Sequence, residues 1–190
     1  DYIFEGISIK IPENTHTILT GPNGSGKSTL LGLMSGVLYS NKGNVKIYKE
    51  KFGYIGATPL IFTGSIRDNL TYGNAREISD NKMFELMKKF DLFKEEKRYD
   101  LNEIIDNKSL SSGQMQKISF IRALLSDTEI LLLDESTANL DEKSRNLIFE
   151  ILRDQKITII NSTHDPDSFK DTDNHLRISI KDDKRLVTFN

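Results

Sequence analysis

The sequence predicts an α/β domain with a mostly parallel central sheet, an antiparallel β edge and an inserted helical subdomain. Three observations carry this. Short apolar runs of strand character alternate with helical patterns along most of the 190 residues, the alternation that builds parallel sheets. One of those runs, EILLLDES at 129–136, stays apolar until it ends in carboxylates, as a strand buried on both faces does. The stretch from about Ser65 to Lys108 is polar and helix-rich, with no strong strand signal. It reads as a helical arm set into the α/β core.

Taken in order, Ile7, Ile9 and Ile11 alternate with polar neighbours and predict a half-buried strand. Strand signals follow at Thr17–Thr20, Asn44–Tyr48, Phe52–Ile55, Glu129–Leu133 and Ile157–Asn161. Helical patterns begin after Lys27 and run over Gln114–Ser126 and Glu142–Asp154. The end, HLRISIKDDKRLVTF, reads as two strands joined at Asp182–Asp183 in a hairpin. No repeat, low-complexity tract or linker marks a second independent domain.

Composition narrows the function classes. Hydrophobic residues are 37% and charged residues 28%, ordinary for a globular domain with a real core. A net charge of −2 gives no general electrostatic case for nucleic acid or an anionic membrane. The absence of cysteine removes disulfides, thiolate metal sites and cysteine nucleophiles together. No apolar run approaches the ~18 residues of a membrane span. The start, DYIFEGISIKIPE, lacks Met and runs directly into strand-like sequence, so it reads as a fragment that begins inside a domain.

The chemistry starts at TGPNGSGKST, residues 20–29. Gly21, Gly26, Lys27 and Ser28 match the phosphate-loop pattern, and the motif sits between a predicted strand and a predicted helix. Gly24 and Gly26 let the backbone curl with its N–H groups inward around an anion. Lys27 can then reach the β- and γ-phosphates, and the Ser28 hydroxyl can ligate Mg²⁺. The alternative is a glycine-rich turn before an ordinary helix, which the strand–loop–helix context disfavours.

Asp134 and Glu135 close the apolar run, at the carboxyl end of a strand, where open α/β sheets bind ligands. Asp134 is placed to hold Mg²⁺ beside Ser28, and Glu135 to polarise a water attacking the γ-phosphate. Both acids capping the next segment is the plainer alternative. His164 ends another predicted strand. It reads either as a surface residue or as a third group at the same phosphate. His16 and His175 have no such context and are expected on the surface.

SLSSGQ, at 109–114, opens a helix. Ser111 or Ser112 can cap it, and the same N–H groups and helix dipole can attract phosphate. These six residues alone leave both readings open.

Together and in this order, these residues resemble the nucleotide-binding domain of ATP-binding cassette (ABC) ATPases, over essentially the whole chain. GPNGSGKS at 21–28 resembles Walker A, LSSGQ at 110–114 the ABC signature, and ILLLDE at 130–135 Walker B. STANLD at 136–141 is similar to the D-loop, and His164 to the H-loop histidine. TGSIRDNLTYGN at 63–74 resembles the segment after the Q-loop in exporter-type cassettes.

The resemblance implies a P-loop NTPase fold, with 1–62 and 126–190 as core and β edge and about 63–125 as helical subdomain. It implies ATP and Mg²⁺. ATP would be bound by Gly21, Pro22, Asn23, Gly24, Ser25, Gly26, Lys27, Ser28 and Thr29. Ser111, Ser112, Gly113 and Gln114 would cover the nucleotide of a second nucleotide-binding domain, in a homodimer or heterodimer. Glu135, His164 and Lys27 would be catalytic, and Ser28 and Asp134 would hold the metal. Further implied partners are the transmembrane domains of a transporter, at the cytoplasmic face of a membrane, and no nucleic acid is expected.

The chain departs from the family pattern in four places. Ala57 stands where the Q-loop glutamine is expected, and no glutamine lies between Ser28 and Gln114. Thr58 is the nearest substitute. Ser112 replaces the usual signature glycine. The connection GVLYSNKGNVKIYKEKFGYIG is short, as in the first cassette of multidrug-resistance-protein-like transporters. The family's adenine-stacking aromatic is expected upstream of residue 1, with Tyr2 poorly placed for the role. Three functions remain in view: an exporter ATPase, a soluble ABC ATPase acting on nucleic acid or ribosomes, and a weakly hydrolysing, nucleotide-gated regulatory module.

Overall fold

Apolar runs too short for helices pair into a sheet, and the periodic segment after Lys27 packs on it. In this computed structural model residues 2–49, 51–93, 100–169, 171–182 and 184–190 are described. In chain order the elements are β1 (His16–Thr20), α1 (Lys27–Met34), β2 (Phe52–Gly56), β3 (Gly64–Ser65), α2 (Ile66–Thr71), α3 (Asp80–Lys89) and β4 (Ile104–Ile105). Then come α4 (Ser112–Leu125), β5 (Ile130–Asp134), α5 (Glu142–Asp154), β6 (Thr158–Ser162), a 3-10 turn at Pro166–Ser168, β7 (Asn174–Lys181) and β8 (Lys184–Phe189).

Two compact units divide the chain. The first holds Asp1–Tyr54, Glu129–Glu135 and Gln155–Asn190. Its six-stranded sheet runs β2-β5-β6-β1-β7-β8. The β5–β6, β6–β1 and β1–β7 pairs are parallel and β7–β8 is antiparallel, so the expected fold class holds. Leu19, Leu30, Leu31, Leu132, Ile160, Leu176 and Ile178 form one buried cluster between α1 and the sheet. Register decides what the sheet presents: Ser162 stands opposite Asp134 on one side and Leu19 on the other. The carboxyl ends of β1, β5 and β6 are therefore level, and three chain segments leave the sheet side by side.

The second unit, Ile55–Thr128 and Ser136–Asp154, is mostly helical, with a two-residue antiparallel ladder of Gly64–Ser65 on Ile104–Ile105. Met83, Leu86, Met87 and Phe90 are buried along α3, at the spacing of one helix face. TGSIRDNL is pinned locally. Ser65 and Asp68 form a capping box on α2, and the Asn69 amide donates to the Phe62 and Ser65 carbonyls at 3.0 and 3.1 Å. Arg122 donates to the Asn69 and Leu60 carbonyls at 2.8 and 3.0 Å. Burial holds its guanidinium below the ordinary arginine range, partly offset by Tyr72.

Three expectations need correction. Asn44–Tyr48 is not a strand; Val45, Ile47 and Tyr48 are exposed, and β-formers without a pleated surface to pack on do not make one. Ile7–Ile11 is extended without joining a ladder, yet its alternation survives. Ile7, Ile9 and Ile11 turn half inward, and Ile9 and Ile11 pack on the core cluster. His16 is buried rather than on the surface, because β1 is covered by β6 and β7 on its two sides. Its ring meets Phe169 edge-on, with centroids 5.8 Å apart. His175 is exposed, as expected. The Asp182–Asp183 turn lies partly outside the described residues, at Asp183.

Candidate functional site

The loop between β1 and α1 curls because glycine lets it. Gly24 and Gly26 have φ of 73° and 99°, where L side chains are strained. A Cβ at Gly26 would also stand 2.8 Å from the Phe4 ring. Gly26 caps α1 with no side-chain hydrogen bond, so the first N–H groups of the helix have no side-chain acceptor at its cap, the arrangement that attracts anions. Lys27 is buried, and its ammonium donates to the Gly21 and Pro22 carbonyls at 3.0 and 3.4 Å. Ser25 is fully buried, whereas Pro22, Asn23, Gly24 and Ser28 are exposed and Gly21, Gly26 and Thr29 half-buried.

At the end of β5 the chain turns sharply. Glu135 has a φ of 54°, a left-handed conformation uncommon for anything but glycine. Its N–H donates to the Ser162 carbonyl at 3.1 Å, which holds the turn against β6. The side chain then meets two nitrogens: Oε1 lies 2.6 Å from His164 Nε2 and 4.0 Å from Lys27 Nζ. The loop lysine, more than a hundred residues earlier in sequence, and the histidine after β6 thus converge on the carboxylate at the end of β5.

Asp134, half-buried just before it, accepts a hydrogen bond from the Tyr54 hydroxyl at 3.0 Å. Sequence reasoning missed Tyr54, because nothing in FGYIG distinguishes a site residue from a strand aromatic. The phenol is pushed up to about 12, by partial burial first, then by its hydrogen bond to Asp134 and the charge of Asp134. Among the described residues no group of three or more His, Cys, Asp or Glu gathers as a metal cage. Oxygen donors at this sheet end include the Ser28 hydroxyl and the carboxylates of Asp134 and Glu135. So sparse a set suits Mg²⁺, which takes one or two carboxylates plus phosphate oxygens.

In the second unit, Ser111 is the N-cap of α4. Its hydroxyl accepts from Gln114 N at 3.2 Å, and the Gln114 carbonyl Oε1 accepts from Ser111 N at 2.8 Å. This is a capping box. Ser112 is exposed and Gly113 half-buried. Ala57 is exposed just past β2, and Gln116 of α4, fully buried, donates to the neighbouring Gly56 carbonyl at 3.5 Å.

Comparison with known proteins agrees with this geometry. The family model described as "ABC transporter" matches residues 4–138. ABC transporter B family member 1 of Dictyostelium discoideum is 32% identical over 83% of this chain, which spans 20% of that protein. The alpha-factor-transporting ATPase of Saccharomyces cerevisiae is 35% identical over 71% of this chain and 12% of its own length. A putative ABC transporter ATP-binding protein of Archaeoglobus fulgidus is 32% identical over 85% of this chain and 73% of its own length. Its phosphate loop, the carboxylate at its sheet end and these matches agree: the chain belongs to the ABC transporter family and is an ATP-binding, ATP-hydrolysing domain of it.

Proposed function

We propose that this domain powers an ABC exporter at the cytoplasmic face of a membrane, by closing on a second nucleotide-binding domain around ATP and reopening after hydrolysis. The observation that carries the reading is the Glu135 carboxylate, held between His164 Nε2 and Lys27 Nζ beside the phosphate loop. The loop N–H groups and Lys27 bind the β- and γ-phosphates of ATP. Glu135 takes a proton from the attacking water as its oxygen bonds to the γ-phosphorus. The bond from that phosphorus to the β–γ bridging oxygen breaks, leaving ADP and phosphate. His164 orients Glu135 and reaches the same phosphoryl group. Ser28 and Asp134 would hold Mg²⁺, which when bound would supply neutralisation of charge on the phosphate oxygens.

Ser111, Ser112, Gly113 and Gln114 face the nucleotide of the second domain, and the helical unit carries the contact to the transmembrane domains. Among the described residues no helix is long and apolar enough to cross a membrane. Exporter-type relatives support the transport assignment. Ala57 favours one rival, a regulatory module with little turnover, because its side chain brings no oxygen to the metal.

Glu135→Gln separates the two readings. In an exporter ATPase this change keeps ATP bound and prolongs the ATP-bound dimer from a transient to a species isolable by size-exclusion chromatography. An unchanged dimer lifetime would favour the regulatory module.

A further inference from the structure

Tyr54 stands out because neither its exposure nor its place in the sequence accounts for its partner. The ring is 54% exposed, while the next residue, Ile55, is 5% exposed. The ring therefore contributes little to the core, and the polar tip is the part with a defined contact. That tip donates to Asp134 Oδ2 at 3.0 Å. A carboxylate can only accept, so the direction of the bond is fixed. Among the described residues it is the one hydrogen bond made by the Asp134 side chain.

We propose that Tyr54 is a positioning residue for the metal carboxylate: its hydroxyl ties down Oδ2 of Asp134 and so orients the other carboxylate oxygen for a divalent cation. This rests on the reading of Asp134 as a metal ligand. The physical case is that a ligating carboxylate rotates about its last torsion, a broad and soft one. A neutral donor on one oxygen fixes that rotation without competing for the charge, as outer partners of metal ligands do elsewhere. The role matters more in this chain than in a cassette with a Q-loop glutamine. The side chain of Ala57 supplies no oxygen, which leaves metal organisation to fewer groups.

The test uses the intact protein loaded with ADP, with Mn²⁺ as the probe and free Mn²⁺ read by electron paramagnetic resonance. Tyr54→Phe removes only the hydroxyl at a half-exposed site. The expected result is Mn²⁺ affinity weakened roughly 10-fold or more, with ADP affinity in EDTA unchanged. Asp134→Asn is measured alongside and should weaken Mn²⁺ further. Unchanged or tighter Mn²⁺ binding in Tyr54→Phe, while Asp134→Asn weakens it, would overturn the role of Tyr54 alone. A Tyr54→Phe loss that appears equally for ADP in EDTA would overturn it too, as a structural defect. Unchanged binding in Asp134→Asn would overturn the metal assignment itself, and this proposal with it.

Discussion

Glu135 and His164 meet at 2.6 Å across the ends of two adjacent parallel strands. The contact depends on register: Asp134 stands opposite Ser162, so each strand needs only one or two further residues to bring its functional group to the same level. A one-residue slip would turn every side chain of a strand to its other face.

His164→Ala should therefore lower the maximal ATPase rate by about 10²-fold and change the KM for ATP much less, since the phosphate loop is untouched. Steady-state kinetics check this. A rise in KM at constant maximal rate would assign His164 to binding instead.

The backbone at Glu135 carries a second prediction. A left-handed non-glycine residue costs roughly 1–2 kcal/mol, and the wider freedom glycine gives the unfolded chain offsets part of the gain from replacing it. Glu135→Gly should abolish turnover while raising stability by up to about 1 kcal/mol, or roughly 2–4 °C in melting temperature. Thermal melts in EDTA without nucleotide read this directly. A lower melting temperature would mean that the contacts of the side chain outweigh the strain.

Ser111→Arg should leave ATP binding by the monomer nearly intact and abolish dimerisation and turnover. Because Ser111 also caps α4, the change carries a stability loss of about 1 kcal/mol, which Ser111→Ala shares. Ser111→Ala should melt earlier yet still dimerise with ATP. Loss of ATP binding in the arginine variant, measured by fluorescent nucleotide titration, would contradict an across-the-interface role.

Asp106 gives a pH prediction. Its carboxylate is held below the ordinary range by the Ser109 N–H first and then the Lys108 N–H. A carboxylate lowered on folding contributes stability that is fully present above its unfolded value of about 3.9. The contribution fades as pH falls through the lower folded value. The melting-temperature gap between wild type and Asp106→Ala should be constant from pH 5 to 7 and shrink below about pH 4. A gap independent of pH would mean that the charge of Asp106 has no part in the turn.

Much of the fold was legible because its signals are local. The apolar run before Asp134 became β5, and the periodic segment Glu142–Asp154 became α5 with those bounds. Asn44–Tyr48 misled because β-propensity describes a surface that a partner must supply, and none covers Val45 or Tyr48. His16 misled because burial is set by the neighbouring strands rather than by the flanking sequence. Within the site, Lys27, Asp134 and Glu135 announced themselves through motif and strand end. The Tyr54–Asp134 bond spans eighty positions, and no spacing rule reaches across a sheet to find it. The left-handed turn at Glu135 was equally hidden, since an acidic residue gives no hint of a conformation glycine prefers.

The capping box at the start of α4 has a consequence for recognition. The side chains of Ser111 and Gln114 each accept from the other's backbone N–H, so folding already spends part of the freedom that binding would otherwise have to freeze. At this turn Ser111 and Ser112 are exposed, and Gly113 and Gln114 half-buried. In the proposed dimer this turn would read an oxyanion by shape and direction, like a stiff socket, with its capping groups already in order.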